Sequence, residues 1–390
     1  MATEPDLNAA GGDRPTTEEA ARNAPLLAGY DYDRYPSSIT GFTGINLQRV
    51  FVRRQAPAVR TRVGPRGNFK GAIARLSDGT LIAAACRRID VHGLFGVHVY
   101  RSADRGLTWR EIGETTLLGK EMSLTALQDD SLLLTVESNA IPGNGTRMQY
   151  HRSSDGGRTW MTDFLDGLGK PRNVLVEADG SLLMLRPLGS AYLQRFYDAA
   201  GRDFAPNPHL ELSRSRDGGR TWESTPGRVA WSVSTFGEVS VARLPDGRLL
   251  ASLRTNPPGT EGEGQQLTYL TASDDDGATW CEPWPMTNLA EVQVNLLVLR
   301  DGRLLATYTN YHLPFGVCAQ TSEDGGRTWS FDAPIQLAVS ADCYTGWPVT
   351  VELDDDELIT CYMITAFLKE PPEPTGVQRN VCEVVRWRLP

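Results

Sequence analysis

Along most of the chain, short apolar runs alternate with tight polar breaks at a spacing that repeats. An apolar run, an Asp-Gly or a close variant, a Leu-Leu or Leu-Ile pair and a second apolar run recur six times: ARLSDGTLIAA, ALQDDSLLLTV, VEADGSLLMLR, ARLPDGRLLAS, VLRDGRLLATY and VELDDDELITC. Asp-Gly between two apolar strands predicts a β-hairpin, because Asp can accept backbone N–H bonds across the turn and Gly takes the positive φ. The turn aspartates are Asp78, Asp129, Asp179, Asp246, Asp301 and Asp355. Six such hairpins along the chain predict an all-β fold.

A second pattern lies between these hairpins. Ser-x-Asp-x-Gly-x-Thr-Trp occurs as SADRGLTW (102–109), SSDGGRTW (153–160), SRDGGRTW (215–222), SDDDGATW (273–280) and SEDGGRTW (322–329), with tryptophans 51, 62, 58 and 49 residues apart. It reads as a turn into a further strand, the Trp packing between sheets. Six hairpins but five boxes imply six four-stranded units, the last lacking its outer strand. NVCEVVRWRLP after the sixth hairpin matches the strand that precedes each box, and the chain stops where a sixth box would begin. The segment LQRVFVRR (47–54) is expected to supply the missing strand, closing the array into a ring without exposed edges. Such units bury their faces only against neighbours, so residues 41–390 are expected to form one cooperative domain, with 1–40 a polar flexible tail.

Composition narrows the partners. The net charge is −9 and the sequence pI about 5.2, against an extended phosphate backbone as partner. Arginine outnumbers lysine thirty-five to four. No apolar run is long enough to span a bilayer, and the first residues lack a secretion signal's basic-then-apolar order. The protein is expected to be cytoplasmic, or secreted if a signal has been removed. The six cysteines have no metal-binding spacing, so buried free thiols are expected, with disulfides among the last five left open. The acidic runs 274–276 and 354–357 lack calcium-loop spacing and GGRTW opens a strand, so no cofactor, metal or nucleotide is expected.

Candidate chemistry comes from aligning the repeats. Eight residues before the hairpin aspartates stand Lys70, Glu121, Pro171 with Arg172 next, Glu238, Gln293 and Trp347. About eight residues after them stand Cys86 with Arg87 and Arg88, then Glu137, Arg186, Arg254, Thr309 with Asn310, and Met363 beside Tyr362. Equivalent inner-strand positions in a purely structural ring should be apolar. Their polarity points to a polar ligand over the ring axis, or to a ring of buried ion pairs around it.

The boxes resemble the Asp boxes of the sialidase (neuraminidase) superfamily, over residues 41–390. The resemblance implies a six-bladed β-propeller whose boxes lie on the outer rim, with a carbohydrate substrate held at the mouth of the funnel. STFGEVSVARLPDGRLLASLRTN (234–256) is similar to the sialidase segment carrying a buried glutamate and one arginine of a carboxylate-binding triad, and Glu238 and Arg254 fill those positions. In that family the glutamate takes a proton from a nucleophilic tyrosine, and the arginine forks onto the sugar carboxylate. Lys70 stands where the first triad arginine is expected, with Arg87 or Arg88 as compensation. Asp90 is the equivalent of the acid/base aspartate, with His92 beside it. The blade-five segment LLATYTNYHLPFGVCAQTSEDGG (304–326) offers no third arginine before Arg327, which lies inside the box, and Trp347 occupies the tyrosine's place. Tyr344 is therefore the candidate nucleophile, and Tyr311 and Tyr362 are alternatives.

The expectation is an exo-acting glycoside hydrolase removing a terminal, acidic sugar. Glu238, Asp90 and Tyr344 would be catalytic; Lys70, Arg88, Glu121, Arg172, Arg254, Gln293, Tyr311 and Trp347 would bind substrate. Two alternatives stay open. One is a glycosidase, or a sugar-acid lyase, acting on another terminal sugar, with Glu121 and Glu238 as paired carboxylates. The other is a non-catalytic propeller whose Trp347, Tyr344 and Tyr311 stack on glycans.

Overall fold

A computed structural model describes residues 26–28, 54–89, 94–112, 115–137, 147–166, 171–188, 209–229, 238–255, 266–329, 334–366 and 380–389. They form strands and no helix. Three short strands come first: β1 (Leu26–Ala28), β2 (Arg54–Ala56) and β3 (Ala58–Arg62). Blade one is β4 (Phe69–Arg75), β5 (Leu81–Arg88), β6 (Phe95–Ser102) and β7 (Arg110–Glu111). Blade two is β8 (Lys120–Ala126), β9 (Leu132–Glu137), β10 (Arg147–Ser153) and β11 (Met161–Asp166). Blade three is β12 (Leu175–Val176), β13 (Leu182–Leu188), β14 (His209–Ser215) and β15 (Glu223–Val229). Blade four is β16 (Val239–Arg243), β17 (Leu249–Thr255) and β18 (Leu267–Ser273), then β19 (Thr279–Trp280) in its box and β20 (Trp284–Pro285) at its edge. Blade five is β21 (Glu291–Val298), β22 (Leu304–Asn310), β23 (Gly316–Ser322) and β24 (Ile335–Val339). Blade six is β25 (Gly346–Glu352), β26 (Glu357–Thr365) and β27 (Asn380–Arg388), completed on its outside by β3.

The predicted six-bladed propeller is therefore present, and an N-terminal strand closes the ring. Its identity differs from the expectation. The closing strand is 58–62, paired Arg62↔Glu383 to Ala58↔Trp387; of the expected segment 47–54, residues 47–53 lie outside the described residues. Residues 26–28, within the stretch read as a tail, pair in parallel with β24 on one side and with β2 on the other. The alternation of β3 explains the choice: Arg60 is buried, its Nη1 donating to the Tyr362 hydroxyl at 2.5 Å and its Nη2 to the Leu337 carbonyl.

The core lies between blades. Among the described residues, six apolar clusters bridge consecutive blades, from Ala84 against Leu134 (blades one and two, in a cluster that also takes in Trp347 and Met363 of blade six) round to Ala83 against Ile359 (blades one and six). A blade covered on both faces needs apolar side chains on both, which is why β5 reads LIAAAC without alternation and is fully buried over that run.

The turns behave as their sequences ask. In five of the hairpins the aspartate accepts the N–H two residues on, at 2.8–3.1 Å. In the boxes the Asp carboxylate accepts the Ser hydroxyl, the Thr N–H and the Thr hydroxyl; in the second box these distances are 2.8, 2.9 and 2.6 Å. Burial pushes Asp104, Asp155 and Asp324 up, yet the hydrogen bonds from Thr and Ser outweigh it and hold each at about 2. Asp275 is held at about 2 by the Thr279 and Ser273 bonds. The last box glycine fits against the blade before it. A Cβ there would meet Ile359 in blade six (from Gly106), Val99 in blade one (from Gly157), Leu133 in blade two (from Gly219), Leu212 in blade three (from Gly277) and Leu250 in blade four (from Gly326). Where blade four's box pairs in parallel with the edge of blade three, the missing sixth box leaves the edge of blade five to β1.

Candidate functional site

The ring positions share a backbone feature. In blade one, Lys70 and Gly71 oppose a single residue of β5; in blade five, Gln293 and Val294 oppose a single residue of β22; in blade six, Trp347 and Pro348 oppose a single residue of β26. Glu121 is the extra residue of a matching irregularity in β8. These are β-bulges, which bend the strand and re-aim a side chain. Lys70, Gln293 and Trp347 sit in the left-handed region, at φ of 48°, 59° and 51°. Bulky residues seldom adopt that conformation, and it persists where the surroundings over-determine it, often at functional sites.

The bulges bring several expected residues together. The Lys70 ammonium lies 4.1 Å from the centroid of the Trp347 ring, a cation–π contact with both residues about 95% buried. The exposed Tyr344 ring packs edge-on against Trp347, at 5.9 Å and 66°. The Trp347 backbone N–H approaches Gln293 Oε1 and Thr309 Oγ1, each at 3.3 Å. Gln293 in turn donates to the Tyr311 hydroxyl at 3.1 Å and accepts from Thr309 at 2.5 Å. Lys70, Gln293, Tyr311, Tyr344 and Trp347 thus form one connected group across blades one, five and six. The buried indole N–H of Trp347 has no acceptor among the described residues.

A second group stands in blade four. Glu238 is buried, and Arg254 Nη1 donates to both its oxygens at 3.1 and 3.0 Å. Arg254 Nε donates to Gln266 at 2.7 Å. The sequence gives no warning of Gln266, which stands at no repeat-equivalent position. Arg186 pairs with Glu211 across β13 and β14, so the alternative of buried ion pairs holds for part of this ring.

Other candidates lie elsewhere. Arg172 is buried, and its guanidinium crosses from blade three to the opposite blade, donating to the Pro348 carbonyl at 2.9 Å. Arg88 is exposed at the end of β5. Arg87 donates to Asn68 Oδ1 at 2.9 Å and to the Tyr100 hydroxyl at 2.8 Å. The Tyr362 hydroxyl donates to Glu383 at 3.2 Å within blade six, which corrects its place among the axial tyrosines. Asp90 and His92 lie outside the described residues. All six cysteines are free thiols; Cys281 and Cys343 are exposed, against the expectation of burial.

Behind the site, an axial cavity of about 570 Å3 opens toward the hairpin turns and takes residues from all six blades. No group of three or more His, Cys, Asp or Glu able to hold a metal occurs among the described residues.

A family profile described as a BNR repeat-like domain matches residues 196–357. No curated protein sequence matches the chain significantly. Among solved structures, a protein of unknown function from Dyadobacter fermentans aligns at TM-score 0.63 and 18% identity, covering 84% of this chain and 98% of that one. The Penicillium chrysogenum α-L-arabinanase complexed with arabinobiose aligns at TM-score 0.57 and 15% identity, covering 84% and 98%. A Hadza microbial sialidase aligns at TM-score 0.56 and 17% identity, covering 87% and 70%. Identities this low speak for the fold alone, and blade count, box turns and ring closure agree with it: the chain is a six-bladed β-propeller, similar in fold to these proteins and BNR repeat-like over residues 196–357.

Proposed function

We propose that the chain is an exo-acting glycoside hydrolase whose substrate, a terminal sugar, sits over the bulged ends of the inner strands. The observation that carries this reading is the set of bulges at repeat-equivalent positions, which turn Lys70, Gln293 and Trp347 out of strand geometry at one end of the ring. The arabinanase and the sialidase that share the fold support hydrolysis as the reaction.

Glu238 is the central carboxylate. Its two oxygens both accept from a guanidinium, an arrangement that suits a nucleophile or a stabiliser of positive charge at the sugar's anomeric carbon rather than a proton donor. The proton donor is then a separate acid, for which Glu121 in blade two and Asp90 are the candidates. Tyr344 serves as a ring face rather than a nucleophile, its exposed ring and Trp347 forming a wall for the sugar.

The sugar is neutral in this reading. Arg254 has Nη1 on Glu238 and Nε on Gln266, so a two-pronged grip on a sugar carboxylate would have to break one of these contacts. The blade-five segment 304–326 supplies no arginine to assist. Lys70 is the observation in favour of an acidic sugar, and its ammonium is engaged with the Trp347 ring.

A panel of chromogenic arabinofuranosides, other neutral α- and β-glycosides and sialosides tests both points. Turnover of a neutral glycoside, reduced about 100-fold or more in kcat by Glu238→Gln, is the expected result. No turnover of any glycoside, with glycan binding that survives Glu238→Gln, would establish a non-catalytic binding propeller instead. Preferential cleavage of sialosides would restore the acidic sugar.

A further inference from the structure

The outer rim carries a second cavity, far from the axis, where the edge strand β7 of blade one meets the box turn of blade two. It measures about 590 Å3, within the range of roughly 300–1,000 Å3 common for small-ligand sites. Arg101, Arg110 and Arg158 line it, with Thr108 and Glu111, and Ile112 on its wall. Three guanidiniums around one carboxylate are unusual in a chain of net charge −9.

The nearby carboxylates are spoken for. Glu111 has Oε1 2.7 Å from His98 Nδ1 and Oε2 4.0 Å from Arg87 Nη2. Asp155 takes bonds from Ser153, Thr159 and the Arg158 N–H inside its own turn. Asp78 and Asp104 accept from Thr80 and from Thr108 in the same way. The guanidiniums, by contrast, are only lightly engaged. Arg101 Nη2 donates to Thr80 Oγ1 at 3.3 Å, and Arg158 Nη1 donates to the Asp155 carbonyl at 2.7 Å. Arg110 pairs through its backbone with Arg101 of β6, and its side chain makes no hydrogen bond or ion pair among the described residues.

We propose that this rim cavity binds an acidic saccharide chain, with Arg101, Arg110 and Arg158 holding its carboxylate or sulfate groups. Guanidiniums match the planar, forked geometry of such anions, and several at short range act together. A saccharide fits better than a nucleic acid. The basic groups are confined to one cavity with an apolar wall, on an acidic protein, whereas a phosphate backbone calls for an extended basic stripe. The site lies outside the funnel, so it stands or falls independently of the hydrolase reading.

The test is calorimetric titration of the full chain with a heparin hexasaccharide and with an oligogalacturonate of similar length, at low and at raised salt. Maltohexaose and a short DNA duplex serve as comparators. The expected result is binding of at least one acidic saccharide that weakens with salt and falls at least about tenfold in the Arg110→Ala/Arg158→Ala double variant, with no binding of maltohexaose. Both side chains are exposed, so the variant should keep its melting temperature. No binding of either acidic saccharide, or binding unchanged in the double variant, would overturn the proposal. DNA binding tighter than both saccharides would overturn the assignment of the ligand.

Discussion

At the scale of single residues, the site is set by backbone conformation as much as by side-chain type. Repeat alignment picked out Lys70, Gln293 and Trp347, because position in a repeat is a property of sequence. It did not reveal their bulges, although Gly71, Gly346 and Pro348 beside them are residues that mark bulges in strands. Gly71 shows how tight this arrangement is. A Cβ on it would stand 2.5 Å from the Cys382 sulfur and 2.7 Å from the Cys361 sulfur, two buried thiols themselves 3.7 Å apart. Gly71→Ala should therefore destabilise the protein by about 1–3 kcal/mol and lower the activity of the neighbouring Lys70–Trp347 pair as well. Chemical denaturation alongside kcat measurements would show both, and an unchanged midpoint would contradict the packing described. The pairing of Glu238 with Arg254 was not legible, since sequence marked both as ligand groups and could not show that they satisfy each other. Arg254→Lys should weaken turnover of a neutral glycoside, by removing the contact to Gln266 while keeping the charge; kcat that survives it intact would count against Glu238 being held by this arginine.

At the scale of the element, the box turns were the most legible part of the chain, because Ser, Asp, Gly and Thr each meet a local demand of the turn. Their carboxylates also make a prediction about acid. In the folded state Asp104, Asp155, Asp275 and Asp324 are held at about 2, against a reference value of 3.8. A lowered folded value means that the stability contributed is fully present above the unfolded value, near pH 4, and is lost as pH falls through about 2. Calorimetric melting temperatures should thus drop between pH 4 and pH 2, and Asp155→Asn should flatten that drop. His151 adds an effect at higher pH. Burial lowers it to about 4 from 6.5, so its share is present above pH 6.5 and is lost on acidification toward 4. The edge strands were less legible than the turns. β7 is two residues long and β24 holds an additional strand, so the outer edges follow from tertiary pairing rather than from periodicity.

At the scale of the whole molecule, six hairpins in sequence gave six blades, and the shortfall of one box located the seam between the two ends of the chain. What sequence could not decide was which N-terminal strand fills it, because LQRVFVRR has the stronger apolar pattern while AVRTR has the buried Arg60 that reaches Tyr362 and Leu337. Deletion through residue 62 should leave blade six with a bare edge and produce an aggregating protein that melts without a cooperative transition. Restoring residues 54–62 alone should recover cooperativity, and its failure to do so would show that β1 is needed as well. The docking of each box glycine onto the blade before it has a consequence for how such a ring can change over generations. The clasp between two blades is encoded in the later one, so a blade copied in tandem carries its own fastening with it. The only junction that cannot travel this way is the seam, where two distant stretches of gene must change together.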